Sequence, residues 1–332
     1  IYLAYCWSLS KKNSRLERIS RVRGTGLTTT VLLPMKNEIT RLESKLKSVI
    51  KEIEAYQEVN LMVIESDSTD GTADLCELVL KKCDLAKDRW EVLRAKQSGK
   101  SAAVNMALEE ITDEVVVMMD TDTHAEGWLK KIWSMMGDED IAVISGLESQ
   151  LQTNGARQTY RKTSDLIRKA ESLMGSTPVV EGGLIAWRSE SLSGFQVNQD
   201  ANADDAQIAI EGIRRGYRSI VSGDLQFADT KHNEYDIKRS LRRSQGLSRA
   251  LYSNCDLLFR RIDLRTRIAL ANAFLTYIIV PWSVLLFCLC SPFVVTVDFY
   301  SEPNLQESLN LGFFLMLVLT KKGRALCWGS SI

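Results

Sequence analysis

The sequence predicts an α/β chain: a mostly parallel central sheet flanked by helices, followed by basic interfacial helices and a transmembrane helix. Three observations carry that expectation. Short apolar runs alternate with stretches of helical periodicity from Thr28 to about Gly223. Clusters of acids and amides follow directly on successive apolar runs. From Ile268 to Cys290 the chain carries no charge, long enough at about 1.5 Å per residue to span a hydrocarbon layer of roughly 30 Å.

Of 332 residues, 45% are apolar, enough for one core domain of about 220–250 residues with an appendage. Forty-two basic and forty-two acidic side chains cancel, so no global field marks a nucleic-acid partner. The seven cysteines are odd in number and form no CxxC pair; reduced thiols facing a cytosol are the expectation. Only two histidines, His124 and His232, are present, so carboxylates must do any metal binding.

In chain order, IYLAYCWSL reads as the tail of an apolar segment, with residues 1–10 its stub. TTTVLLP is a strand, and Ile39, Leu42, Leu46, Val49, Ile50 and Ile53 then recur at helical spacing. Strand VNLMVI leads to a helix with Leu75, Leu78 and Val79 facing inward. Strands follow near Trp90–Leu93, Glu114–Met119 and Ile141–Ser145. The catalytic domain is expected over 28–235, basic interfacial helices over 236–267, the transmembrane helix over 268–290 and a second, truncated membrane segment over 309–320. Pro281 is expected to kink the span. Trp90, Trp128, Trp133 and Trp187 read as core.

Ligands of open parallel sheets bind outside the carboxyl ends of the strands. There the chain places Pro34, Lys36, Asn37 and Glu38; then ESDSTDGT (Glu65 to Thr72); then DTDT (Asp120 to Thr123). Each cluster also reads as a helix cap, Ser68, Thr69 or Asp70 for one helix and Asp122 or Thr123 for another. Three on one rim favour a ligand site. Two acids one residue apart suit Mg²⁺ or Mn²⁺, which take one or two carboxylates and complete their shell with substrate phosphates and water. Asp204 and Asp205 read either as acids favoured at a helix N-terminus or as catalytic groups. His124 reads as a neighbour of the metal motif, and His232 as a surface-loop residue. SGKS at Ser98–Ser101 lacks the glycine a phosphate-binding loop needs, since Arg94 stands there. Gly24–Gly26 precedes a strand, which excludes a dinucleotide fingerprint.

The order of these motifs resembles the family 2 glycosyltransferases of the GT-A fold, in the membrane-embedded branch of cellulose and hyaluronan synthases, over about Thr28 to Cys290. VLLPMKNE resembles the family's opening strand. VIESDSTDGT resembles VDDGSTDGT, with Glu65 and Ser66 in place of its two aspartates. GKSAAVNMAL resembles GKAxALNxAL, DTDT the DxD motif, EGGLIAWR the strand lining the acceptor pocket, and ADDAQIAIEGIRRGYR the TEDxxxxxxLxxRGYR motif. Aligned on Gly246, the family's QxxRW falls on Arg239, Arg242 and Arg243. The tryptophan that helps hold a growing polymer is absent, which weakens the expectation of processive synthesis and leaves single transfer intact.

The resemblance implies a nucleoside-diphosphate-sugar donor and a carbohydrate or lipid-linked acceptor. It puts Pro34, Asn37, Glu38, Glu65, Asp67, Lys100, Asn105, Asp120, Arg242 and Arg243 at the donor, and Gly182, Gly183 and Trp187 at the acceptor pocket. For Trp187, which follows the GGL strand, a place flanking a sugar is the alternative to the core. Asp120 and Asp122 hold the divalent cation, Asp205 is the base and Asp204 its neighbour. A single base with no carboxylate nucleophile implies inversion. The rival readings are a sugar nucleotidyltransferase, which wants a glycine-rich loop where PMKNE stands, and a membrane-anchored nucleotide-sugar sensor, which needs no base. Basic residues on both flanks, Lys11 to Arg23 and Arg260 to Arg267, place the catalytic domain on the cytosolic side of a lipid bilayer.

Overall fold

The computed structural model describes residues 2–12, 26–95, 99–149, 156–229 and 237–287. Helix α1 (Tyr2–Lys12) precedes β1 (Thr29–Met35), α2 (Ile39–Ile53), β2 (Val59–Glu65), α3 (Thr72–Lys81), β3 (Trp90–Arg94), α4 (Lys100–Glu110) and β4 (Val115–Met119). Then come β5 (Thr123–His124), α5 (Trp128–Met136), β6 (Ile141–Glu148), α6 (Ala156–Met174), β7 (Leu184–Arg188), α7 (Asp204–Arg214), β8 (Arg218–Asp229), α8 (Ile237–Ser253) and α9 (Leu264–Phe274).

The strands form one sheet in the order β3-β2-β1-β4-β7-β6-β8-β5. Side chains alternate across it, as the two-residue period of a strand requires. Val31, Leu33, Val115 and Val117 face a core shared with α2 and α5, while Leu32, Val116 and Met118 face one shared with α4 and α7. With both faces covered, each buried Val or Leu contributes about 1.5–3 kcal/mol. Trp128 and Trp133 lie in the first of these cores.

The expected parallel order holds for β3, β2, β1 and β4, and for β6 with β8. It fails at β7, which runs antiparallel to both β4 and β6, and at β5, antiparallel to β8. The sheet is therefore mixed. A strand buried on both faces is an apolar run whichever way it points, so LIAW carries no mark of its direction. In the parallel half, Met35 lies across from Glu65 and Glu65 across from Arg94, bringing three strand ends to one rim.

The phase of α3 also differs from expectation. Thr72, Cys76 and Leu80 are its buried residues, Leu75 and Val79 pack at the margin, and Leu78 is 48% exposed.

Past the sheet, Leu251, Leu257, Leu270 and Ala273 pack with Ile210 and Ile213 of α7, and Leu247, Leu258 and Ile262 join them. The apolar residues expected to face a membrane surface are thus largely spent on α7 and α9. What the stretch presents outward is Leu241, Tyr252, Phe259 and its arginines. Helix α1 packs on α6, where the Tyr2 hydroxyl donates to Glu171 Oε1 at 2.8 Å. Burial raises the Glu171 carboxyl to about 7, against the pull of hydrogen bonds from Thr177 and Tyr2.

From Leu264 to Phe287 the chain is helical, and long and apolar enough to cross a membrane by length and composition. Its interior contains a π-turn, Leu275–Ile279. The cause lies one turn on, because Pro281 has no N–H to give the carbonyl of Tyr277. That carbonyl instead accepts from Ser248 Oγ of α8 at 3.2 Å. The expected segment at 309–320 lies outside the described residues.

Candidate active site

The site begins where β1 and β2 end. Asn37 and Asp67 both adopt left-handed backbone, with φ of 52° and 59°, a conformation these two residue types tolerate better than most. The turns they make interlock. Thr69 N–H donates to Asn37 Oδ1 at 2.9 Å, Asn37 N–H to Ser68 Oγ at 3.0 Å, and Ser68 N–H to Glu65 Oε1. Asp70 accepts from the N–H groups of Ile39 and Thr72, so the capping role expected for this cluster falls to Asp70. Hydrogen bonds, first that of the Thr72 hydroxyl, hold its carboxyl below the usual range. Beside these turns lies an open cavity of about 400 Å³ lined by Glu65, Asp67, Ser68, Thr69, Asp74 and Arg94. Pro34 lies in β1 across from Ile64, and Glu38 faces Arg41 at 3.8 Å.

The second part gathers at the end of β4. Asp120 N–H donates to the Gly183 carbonyl at 3.1 Å, tying the acid turn to the strand before β7. Lys100, the first residue of α4, reaches both Asp120 Oδ1 at 2.8 Å and Asp204 Oδ2 at 3.1 Å. Burial depresses an ammonium's pKa, but Asp120, Asp204 and Asp205 together more than offset that and hold Lys100 charged. Asp204 and Asp205 open α7 without a side-chain cap from Ala203 before them. Burial, then the Asp204 charge, raises the Asp205 carboxyl to about 6, with Lys100 and Arg243 pulling the other way.

Glycines make this convergence possible. A Cβ on Gly182 would lie 3.1 Å from Asp205 Oδ2, and one on Gly183 would lie 2.5 Å from the Phe227 ring and 3.0 Å from Thr123 Oγ1. The two glycines therefore sit directly between Asp205 and the acid turn.

Two expected site residues are placed elsewhere. Trp187, assigned to the acceptor pocket, is fully buried in the core beneath β7, on the face it shares with Ile185. Asn105, assigned to the donor, uses both side-chain atoms on the backbone of Val197, its Oδ1 accepting at 2.6 Å and its Nδ2 donating at 2.9 Å. Arg242 and Arg243 are exposed on α8, and Arg243 is close enough to act on Asp205. The Arg239 side chain and His232 lie outside the described residues. His124 is in β5, across from Ala228.

One residue was missed. Lys45 of α2 is 1% exposed and its Nζ donates to the Thr123 carbonyl at 2.6 Å. Burial lowers its pKa to about 8, while Asp120 and Asp122 act in the opposite sense. The signal was in the sequence, since position 45 shares the helix stripe of Leu42, Leu46 and Val49.

Among the described residues no group of three or more His, Cys, Asp or Glu converges as a ready metal cage. The donor set nonetheless fits a divalent cation shared with a ligand. An ammonium already sits between Asp120 and Asp204, and Asp204 Oδ2, though buried, makes no aligned hydrogen bond. Hard oxygen donors of this kind suit Mg²⁺ or Mn²⁺ when phosphates complete the shell.

Residues 30–193 match the family model described as Glycosyl transferase family 2. Glycosyltransferase AglE of Haloferax volcanii is 23% identical over 136 residues, 40% of this chain and 43% of that protein, so the match spans less than half of that relative. Mannosyltransferase PcManGT from Pyrobaculum calidifontis, solved in complex with GDP-Man and Mn²⁺, aligns with a TM-score of 0.75 at 21% identity, over 99% of this chain and 98% of that chain. S. aureus TarS 1–349, solved with UDP-GlcNAc, aligns with a TM-score of 0.54 at 16% identity, over 76% and 72% of the two chains. These structures share the fold.

Proposed function

We propose, on the match of residues 30–193 to the Glycosyl transferase family 2 model and the fold shared with PcManGT, that the protein is a family 2 glycosyltransferase of the GT-A fold that moves a sugar from a nucleoside-diphosphate donor to an acceptor hydroxyl in one inverting displacement. One observation carries the reading. A half-buried carboxylate with a raised pKa, Asp205, faces Gly182, while Lys100 joins its buried neighbour Asp204 to Asp120 of the acid turn. Lys100 thus ties the helix that carries the proposed base to the proposed diphosphate seat.

The cavity beside Glu65 and Asp67 takes the nucleoside, with Asn37 holding the two turns that wall it. Lys100 and the guanidinium groups of Arg242 and Arg243 offer charge-assisted hydrogen bonds to the diphosphate. A divalent cation held by Asp120 and Asp122 would act as a Lewis acid toward the departing phosphate oxygen; PcManGT was solved with Mn²⁺. Asp205 accepts the acceptor's proton, which a positioned carboxylate makes about 10²- to 10⁴-fold faster. Gly182 and Gly183, lacking side chains, leave room for the acceptor. We also place the domain at a bilayer's cytosolic face, on the basic flanks and the apolar helix from Leu264.

The test is transfer from a panel of radiolabelled nucleotide sugars by membranes carrying the protein. Incorporation that needs a divalent ion and is lost in Asp205→Asn supports the proposal; nucleotide-sugar binding without turnover by the unaltered protein would favour a sensor.

A further inference from the structure

An ammonium is expensive to bury, and a methionine would fill the place of Lys45 on the α2 stripe without that penalty. The reason for a charge there is found in what faces it. On the buried side of the acid turn Lys45 Nζ holds the Thr123 carbonyl at 2.6 Å, and Asp120 and Asp122 are the charges that act on it. On the outer side Lys100 holds Asp120 at 2.8 Å. Asp122 itself is only 4% exposed. Two carboxylates one residue apart, one of them buried, repel unless cations balance them. Two lysines oppose that repulsion here, one from each side, with Lys100 shared between Asp120 and Asp204, so the pair is partly compensated before any ion arrives.

We propose that Lys45 is the internal counter-ion of the Asp120–Asp122 pair: it keeps the 120–123 turn formed in the donor-free protein and, by opposing a second cation, makes a free divalent ion bind weakly. The inference rests on the reading of that pair as the ion's seat. Its consequence is an order of events. With Lys45 and Lys100 already partly compensating the acids, a lone ion gains little, whereas an ion entering with a diphosphate brings its own negative charge. Metal and donor are then taken up together. Lys45 is a positioning residue, buried away from the substrates.

The experiment measures Mn²⁺ binding to the nucleotide-free protein from the electron paramagnetic resonance signal of the free ion. Lys45→Met keeps the volume without the charge, and Lys45→Gln also keeps a donor for the Thr123 carbonyl. Both are expected to bind Mn²⁺ about tenfold more tightly than the unaltered protein, as loss of a nearby like charge implies at an effective dielectric of about 20. Both should melt lower in metal-free buffer and gain more in Tm from added Mn²⁺. Lys45→Arg, which keeps the charge, should stay near the original affinity. Neutral variants that fold only with Mn²⁺ present show the same coupling at its extreme. Unchanged or weaker Mn²⁺ binding in both neutral variants, or failure to fold even with Mn²⁺, would overturn the counter-ion role. Asp122→Asn serves as the separate control: if it binds Mn²⁺ as the unaltered protein does, the seat itself is misassigned, whatever Lys45 does.

Discussion

The role proposed for Asp205 has a cost in stability. Its carboxyl titrates near 6 in the folded protein, above the ordinary value near 4. Between those values the folded state holds the extra proton, so stability falls as pH rises through the window, and above it the half-buried charge is a net loss. Asp205→Asn is therefore expected to abolish transfer, leave donor binding within a few-fold, and raise Tm at pH 7 by an amount equivalent to about 1–2 kcal/mol. Calorimetry at pH 7 and pH 4.5 checks this, because the gain should shrink at the lower pH. If Asp205 is the base, the same titration is expected to set the acid limb of activity, with kcat/KM falling below about pH 6. A limb that persists unmoved in a residually active Asp205→Glu variant would assign it to another group. That Asp120 closes a strand could be read from the sequence, because the apolar run before it is local, whereas the approach of Asp204 to it through Lys100 is a tertiary contact that the sequence does not carry. The burial of Lys45 was not legible, because a lysine in a helix is assumed to face water unless its stripe is checked. Asn105 was placed at the donor by the resemblance of GKSAAVNMAL alone, and the tertiary contact that occupies both of its polar ends, the backbone of Val197, leaves no mark in the sequence.

At the scale of elements, α8 is held against the loop before α7 by an absent side chain. A Cβ on Gly246 would fall 2.3 Å from the Ala201 carbonyl oxygen and 2.8 Å from that of Asn202, and backbone cannot yield as a side chain can. Gly246→Ala is expected to push α8 outward, lower stability by about 1–3 kcal/mol, and raise the donor KM, because Arg242 and Arg243 stand one turn away. Donor titration and thermal melts decide it; a variant unchanged in both would mean that α8 does not serve the site. Asn105→Ala should behave differently. Losing two hydrogen bonds that pin Val197 should destabilise by about 1–3 kcal/mol while leaving the donor Kd within two- to three-fold, the outcome that separates a clasp from a ligand contact. The acid turns could be located from sequence because strand ends are local events. The inward side of α3 could not, since Leu75, Leu78 and Val79 offer an apolar face as good as the one chosen, and only contact with α2 selects Cys76 and Leu80.

For the whole molecule, the parallel half of the sheet was readable and the mixed half was not. Alternating strand and helix over 28–148 fixes the former, whereas reversal at β7 depends on where α6 delivers the chain. Which face of a membrane the domain meets is also a whole-molecule property. Ser164 is too buried to report on it, so Lys131→Cys, at an exposed position on α5, and Ser301→Cys are the reporters, placed in a cysteine-free background. An impermeant thiol reagent on intact cells should label the second and spare the first; the reverse pattern would overturn the cytosolic assignment.

The bond from Ser248 to the Tyr277 carbonyl ties the apolar helix to α8, which carries the proposed donor residues Arg242 and Arg243. A helix of fixed length tilts more steeply as the lipid layer thins. Here such a tilt would be geared through Ser248 into α8, and along α8 to Arg243 and the field around Asp205. Turnover in vesicles of graded acyl-chain length should therefore vary with thickness, and Ser248→Ala should flatten that dependence while leaving the mid-thickness rate close to its original value. On the proposed membrane reading, an enzyme so geared would respond to the thickness of the bilayer it spans.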